Sequence, residues 1–211
     1  MSEFKISDLT EIKTPEKHGF QEIKPQEGMR PHEANNFWDG QVAELNNKDT
    51  LSEIYTDDNG KEYRIGDNLV PNNQYEVNGY FYETDAEGRI SSAEGQLKMR
   101  DPEYERNHKD TIDQVGKGDE KPGDERGHLI GHQFGGGDNL ENLVPMAYEL
   151  NHGEYLKMET ELSDAVRDGA DVRLKIEPVY EGDSNRPTEI RATYTIDGDT
   201  SVKVFRNGGD D

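Results

Sequence analysis

From Glu53 onward the apolar positions of this chain follow two different periods, and the change between them divides the sequence into elements. Glu53-Ile54-Tyr55-Thr56 and Glu62-Tyr63-Arg64-Ile65 flank Asp57-Asp58-Asn59-Gly60, the composition of a hairpin turn. Tyr75, Val77 and Phe81 occupy alternate positions of one predicted strand, and a second strand over 89–97 follows a turn at 84–88. Residues 101–124 are polar and rich in Gly, Lys and Asp, which predicts a loop. From Leu150 the spacing becomes that of a single helical face, through Tyr155, Met158, Leu162 and Val166, closing at Asp168-Gly169. Alternation then returns in Val172, Leu174 and Ile176, in Ile190, Ala192, Tyr194 and Ile196, and in Val202 and Val204. Glu181-Gly182-Asp183 and Asp197-Gly198-Asp199 separate these runs, the pattern of an antiparallel meander. The class is therefore α+β with an antiparallel sheet.

Residues 1–50 show neither period. Pro15, Pro25 and Pro31 are scattered among charges, which predicts a linker-like, flexible N-terminal extension ahead of one folded domain over 51–211, with Phe37-Trp38 able to dock on it. Only 30% of the residues are hydrophobic and the mean hydropathy is -1.09, so a modest core is expected. The absence of cysteine excludes disulfides and thiolate zinc sites. No apolar run approaches the roughly 20 residues of a membrane span, and the first residues lack the apolar core of a secretory signal.

Between residues 126 and 159 the chain gathers groups that could cleave a phosphodiester. Such a bond yields when an attacking water loses a proton while cations offset the charge growing on phosphate. His128 can take that proton near neutral pH, Arg126 can clamp phosphate, and Asn151 and Glu159 offer the oxygen ligands that suit magnesium. On one straight helix Asn151 and Glu159 would stand about 80° and roughly 12 Å apart. This assigns Asn151 to the metal directly and Glu159 to its bound waters. Asn142, before Leu143-Val144-Pro145, reads equally as a turn residue. A zinc site from His128, His132 and His152 is disfavoured because no helical period runs through Gly131 and Gly135. Glu83-Thr84-Asp85-Ala86-Glu87-Gly88 ending at Glu94 partly imitates a calcium loop, but its strand-like flanks favour a plain hairpin turn.

Arg126-Gly127-His128-Leu129-Ile130, Phe134-Gly135-Gly136, Asn142-Leu143-Val144-Pro145-Met146, Asn151 and Glu159 together resemble the active-site motif of the DNA/RNA non-specific endonucleases, which are ββα-metal (His-Me finger) nucleases. The stretch from Tyr75 to Tyr80 resembles an earlier strand of that family, and residues 1–50 lie outside the resemblance. It implies a ββα-metal core with His128 as general base and Asn151 as the one direct protein ligand of magnesium, or of manganese in its place. It further implies Asn142 as a supporting active-site residue, Glu159 on metal-bound water and Arg126 on phosphate. The family usually has Asp immediately before the Arg; here Glu125 stands there, with Asp124 one step earlier.

The resemblance implies a sugar-nonspecific endonuclease leaving 5′-phosphate ends. An acidic chain without a secretory signal suits a bacterial toxin domain exported by a signal-peptide-independent route, with cytoplasmic residence as the alternative. Such a toxin implies an immunity protein in its producer and no membrane partner. Against this stands the charge: 24 basic and 46 acidic residues give -22. No segment supplies the basic footprint of a nucleic-acid binder. The rival reading is an acidic binding protein that mimics nucleic acid without catalysis. The ordered set His128, Asn142, Asn151 and Glu159, which a decoy has no reason to keep, favours the enzyme.

Overall fold

The computed structural model describes residues 53–101 and 110–208, so the expected extension over 1–50, Phe37-Trp38 included, lies outside the described residues. The described chain is α+β. Its strands are β1 (Ile54–Thr56), β2 (Glu62–Ile65), β3 (Asn68–Leu69), β4 (Gln74–Val77), β5 (Tyr80–Thr84), β6 (Ile90–Gln96), β7 (Asp124–His128), β8 (Leu143–Ala147), β9 (Val172–Val179), β10 (Glu189–Ile196) and β11 (Asp199–Arg206). The helices are α1 (Ile112–Gly116), α2 (Tyr148–Asn151) and α3 (Glu154–Arg167).

Six strands form an antiparallel sheet in the order β11-β10-β9-β6-β5-β4, β1 to β3 form a small second sheet, and β7 with β8 forms a separate two-stranded ribbon. The meander appears where the alternation places it. Asp197 and Gly198, at φ 50° and 92°, make the two-residue turn that pairs Ile196 with Asp199. The segment read as one strand through Tyr75 and Phe81 is instead the β4–β5 hairpin, turned by Asn78-Gly79 at φ 57° and 77°. A two-residue turn preserves the odd-even parity of the apolar positions, so alternation alone does not reveal it. The expected 101–124 loop also holds the short α1, whose Thr111 and Gln114 form a capping box. The segment at 84–88 is a hairpin turn in which the Asp85 carboxylate accepts from the Glu87 and Arg89 amides.

Tyrosine compensates for the shortage of aliphatic residues. Tyr63, Tyr75, Tyr80, Tyr82, Tyr155 and Tyr194 are all buried, and Tyr63, Tyr75 and Tyr82 stack in sequence with ring centroids 4.8 and 5.2 Å apart. Helix α3 buries Tyr155, Met158 and Leu162, and the Tyr155 ring meets Phe205 of β11 edge-on at 5.3 Å. A buried hydroxyl needs an acceptor. Three tyrosines find theirs in the segment that follows β7: Tyr155 donates to the Leu129 carbonyl (2.7 Å), Tyr80 to Phe134 (2.6 Å) and Tyr75 to Glu141 (3.0 Å). Sheet and helix thus hold one loop from both sides.

Two buried ion pairs frame the same region. Arg64 forks onto Asp110, and Arg186 onto Asp124 at the start of β7 (2.6 and 2.8 Å). The charges are partnered, which is what makes their burial tolerable.

Candidate active site

The ribbon supplies the first half of the site. Strand alternation sets Arg126 and His128 on one face of β7, while Gly127 sits where any side chain would collide with Met146. Arg126 is oriented by its Nη1, which donates to the Asp110 carbonyl at 2.6 Å. Beyond His128 the chain makes a 3-10 turn over His132–Phe134 and reverses through Gly135 at φ 81°. Gly136 packs directly on the Ile130 carbonyl, with no room for a Cβ. This tight return brings Asp138 back under both histidines: its Oδ1 lies 2.8 Å from His132 Nδ1 and 3.4 Å from His128 Nε2. The Asp138 side chain is 1% exposed, the histidines 10% and 18%.

Asn142 is enclosed in this loop. Its Oδ1 accepts from the Ile130 amide (2.9 Å), and its Nδ2 donates to the carbonyls of Ile130 (2.8 Å) and Gly137 (2.9 Å). Asn142 stands in the turn that leads into β8, its backbone amide donating to the Asn139 carbonyl (3.0 Å), as the turn reading expects, and its fully buried side chain, bonded on both sides, supports the site from behind without reaching substrate. Asn142 braces the loop that carries Asp138.

The second half of the site comes from the helices, which also differ from expectation. The chain does not run as one helix from Leu150. It breaks at Gly153, whose backbone (φ -108°, ψ -107°) leaves no space for a Cβ against the Glu149 carbonyl. Asn151 therefore ends α2 while Glu159 lies in α3, and the straight-helix angle between them does not apply. The Asn151 Nδ2 donates to Glu125 Oε2 at 2.8 Å, and His152 Nε2 meets the same oxygen at 2.7 Å. The bond from Nδ2 fixes the amide and turns its carbonyl oxygen the other way. His152 is thus committed to Glu125, and the zinc trio of His128, His132 and His152 does not form; Asp138 takes the third place.

Glu159 points from α3 onto Gly131, where an added Cβ would strike its carboxylate. Burial strips water from this carboxyl and pushes its pKa from 4.5 up to about 7. The cost of ionising it grows as pH rises from 4.5 to 7 and is fully present above that, on the order of 3 kcal/mol by the size of the shift. Glu159→Gln should therefore raise the melting temperature of metal-free protein by several degrees at pH 8 and leave it unchanged near pH 4. An equal offset at both pH values in thermal melts would show that the carboxyl is not desolvated.

Asn151 is thus anchored three residues before His128, through Glu125, and Glu159 leans on the chain three residues after it, at Gly131. Sequence reasoning missed Asp138 and Asp110, and met Glu125 only as the residue that stands where the family has Asp. Asp138 carried one readable sign, an acid directly after a glycine run; Asp110, which acts on Arg126 16 residues away, carried none, and nothing in the sequence tied Glu125 to Asn151, 26 residues on.

A model of the DNA/RNA non-specific endonuclease family matches residues 71–198. Among curated proteins, the chain is 32% identical over 136 residues to the Type VII secretion system protein EssD of Staphylococcus aureus (strain USA300), an alignment covering 61% of this chain and 22% of that protein. The chain thus spans well under two thirds of this relative. Among solved structures, NucA from Streptococcus agalactiae with no metal bound superposes with a TM-score of 0.51 over 67% of this chain and 82% of that one, at 18% identity, a likeness of fold.

Proposed function

Since the chain belongs to the DNA/RNA non-specific endonuclease family and is accordingly a hydrolytic nuclease, we propose that it cuts DNA and RNA internally in a magnesium-dependent reaction with His128 as the general base. The observation that carries this reading is the placement of His128 against buried Asp138, on the same strand face as Arg126. With Nε2–H directed at the Asp138 carboxylate, the neutral imidazole has its acceptor lone pair on Nδ1, which takes the proton of the attacking water. Asp138 also favours the imidazolium that results, by charge. Arg126 has one of its five N–H donors on the Asp110 carbonyl, and its planar fork is suited to a phosphate oxygen.

The donor set fits a hard cation. The Asn151 amide is oriented by Glu125 so that its oxygen is presented, and the desolvated Glu159 carboxyl is a site where positive charge would favour ionisation. We assign Asn151 as the direct ligand and Glu159 to metal-bound water. Magnesium, or manganese in its place, would supply Lewis-acid stabilisation of the charge that develops on phosphate. Asn142 and the three tyrosines keep the loop in position. Few cations are available to bind substrate in a chain of net charge -22, so affinity comes from the site itself and little base sequence is read.

The kinship with a secretion-system protein supports a further part of the proposal: an exported bacterial toxin nuclease, neutralised in its producer by an immunity protein. Among the described residues no helix is long and apolar enough to cross a membrane. The test of the activity is direct. Purified protein with magnesium should convert supercoiled plasmid to nicked and linear forms and degrade single-stranded RNA, and excess chelator should stop both. Intact plasmid and RNA after prolonged incubation with magnesium or manganese would refute the proposal.

A further inference from the structure

We propose that His128, His132 and Asp138 form a binding site for a transition dication of the zinc type, and that its occupancy switches the nuclease off. The switching half rests on His128 being the general base; the binding half does not.

One ligand atom from each of the three residues lies within 4.8 Å of the other two, and the shared Asp138 oxygen is already 2.8 Å from His132 and 3.4 Å from His128. A zinc ion with bonds of about 2.0–2.2 Å needs ligand atoms only slightly rearranged from this spacing. Two imidazoles and one carboxylate, with a fourth position left for water, form a borderline-soft set that prefers zinc over magnesium. The Asn151 and Glu159 oxygens have the opposite preference. The two halves of the site thus sort two kinds of dication. The loop is built to hold the trio: Asn142 ties it to Ile130 and Gly137, Gly136 closes on Ile130, and Asp138 is almost fully buried while the histidines stay partly open to solvent. The negative net charge of the chain draws dications toward it.

Inhibition follows from the proton inventory of imidazole. If the ion takes the basic nitrogen of His128, that lone pair is lost directly. If it takes the other nitrogen, the neutral ring must carry its proton on the nitrogen that would otherwise accept one. Each neutral imidazole keeps its one proton, on the nitrogen that the ion does not take, and in either case His128 can no longer take a proton from water.

The experiment uses the purified full chain and zinc itself. Calorimetric titration in magnesium-free buffer should show about one zinc bound by the parent, and an affinity at least about tenfold weaker for His132→Gln. At fixed magnesium, zinc should suppress plasmid nicking by the parent. Relative to its own zinc-free rate, His132→Gln should need at least about tenfold more zinc for the same fractional suppression. On the parent alone, raising magnesium tenfold should leave the zinc inhibition in place, because the two ions occupy different donors. Unchanged zinc affinity in His132→Gln overturns the site, as does relief of inhibition by magnesium. Zinc that binds through His132 without inhibiting overturns the switch and, with it, the role of His128 as base, even where plasmid nicking by magnesium is confirmed.

Discussion

Replacing His128 with alanine should lower turnover by a factor of about 10² to 10⁴ while shifting the melting temperature by no more than a few degrees. The split follows from where the residue sits. His128 ends β7 and its side chain is 18% exposed, so truncation leaves no large cavity, and its 3.4 Å approach to Asp138 is the weaker of two. Asp138 keeps His132 at 2.8 Å and does not become an isolated buried charge. What disappears, in the proposed arrangement, is the acceptor that takes the proton of the attacking water. Steady-state cleavage of plasmid by variant and parent, with circular dichroism melts of both, tests this; equal turnover would place the base elsewhere.

Asn151→Ala should abolish cleavage or raise the magnesium concentration needed for half-maximal rate by at least about 10–100-fold. The amide is the one direct protein ligand in the proposed arrangement, and Glu125 keeps His152 as a partner when it is lost, so the fold should persist. Glu159→Ala should have the smaller effect on the magnesium requirement, since a contact made through water is more easily replaced. Magnesium titrations of both variants decide the matter. A requirement shifted far more by Glu159 than by Asn151 would reverse the two assignments.

The parts legible in the sequence were those set by short-range signals. The Asp197-Gly198 turn and the alternation around it dictate β10 and β11, and the apolar face through Tyr155, Met158 and Leu162, stopped at Asp168-Gly169, dictates α3. The break before α3 was hidden because Leu150 and Tyr155 keep a common apolar side across it, and only Gly153 marks the place. The Asn78-Gly79 hairpin was hidden by parity. Within the site, the motif residues could be read one by one, but their partners could not. Asp138 reaches His128 only because a 3-10 turn and a glycine return fold ten residues back on themselves, and Glu125 meets Asn151 across 26 residues. Such pairings depend on backbone direction, which composition does not encode.

The three tyrosine hydroxyls have a consequence for how this enzyme fails. Leu129, Phe134 and Glu141 are held by residues of α3, β5 and β4, so the loop between the histidines and Asn142 has no hinge of its own. Opening it breaks hydrogen bonds made by side chains rooted in the core, worth about 1 kcal/mol net each, and uncovers the buried Leu129, Ile130 and Phe134, so the loop belongs with the more stable parts of the domain. Catalytic competence should then be lost together with tertiary structure, and activity and circular dichroism should fall over the same denaturant range. The loop trades an adjustable entrance for a preformed one, which suits the proposed activity, one that accepts any accessible phosphodiester and closes on no cognate sequence.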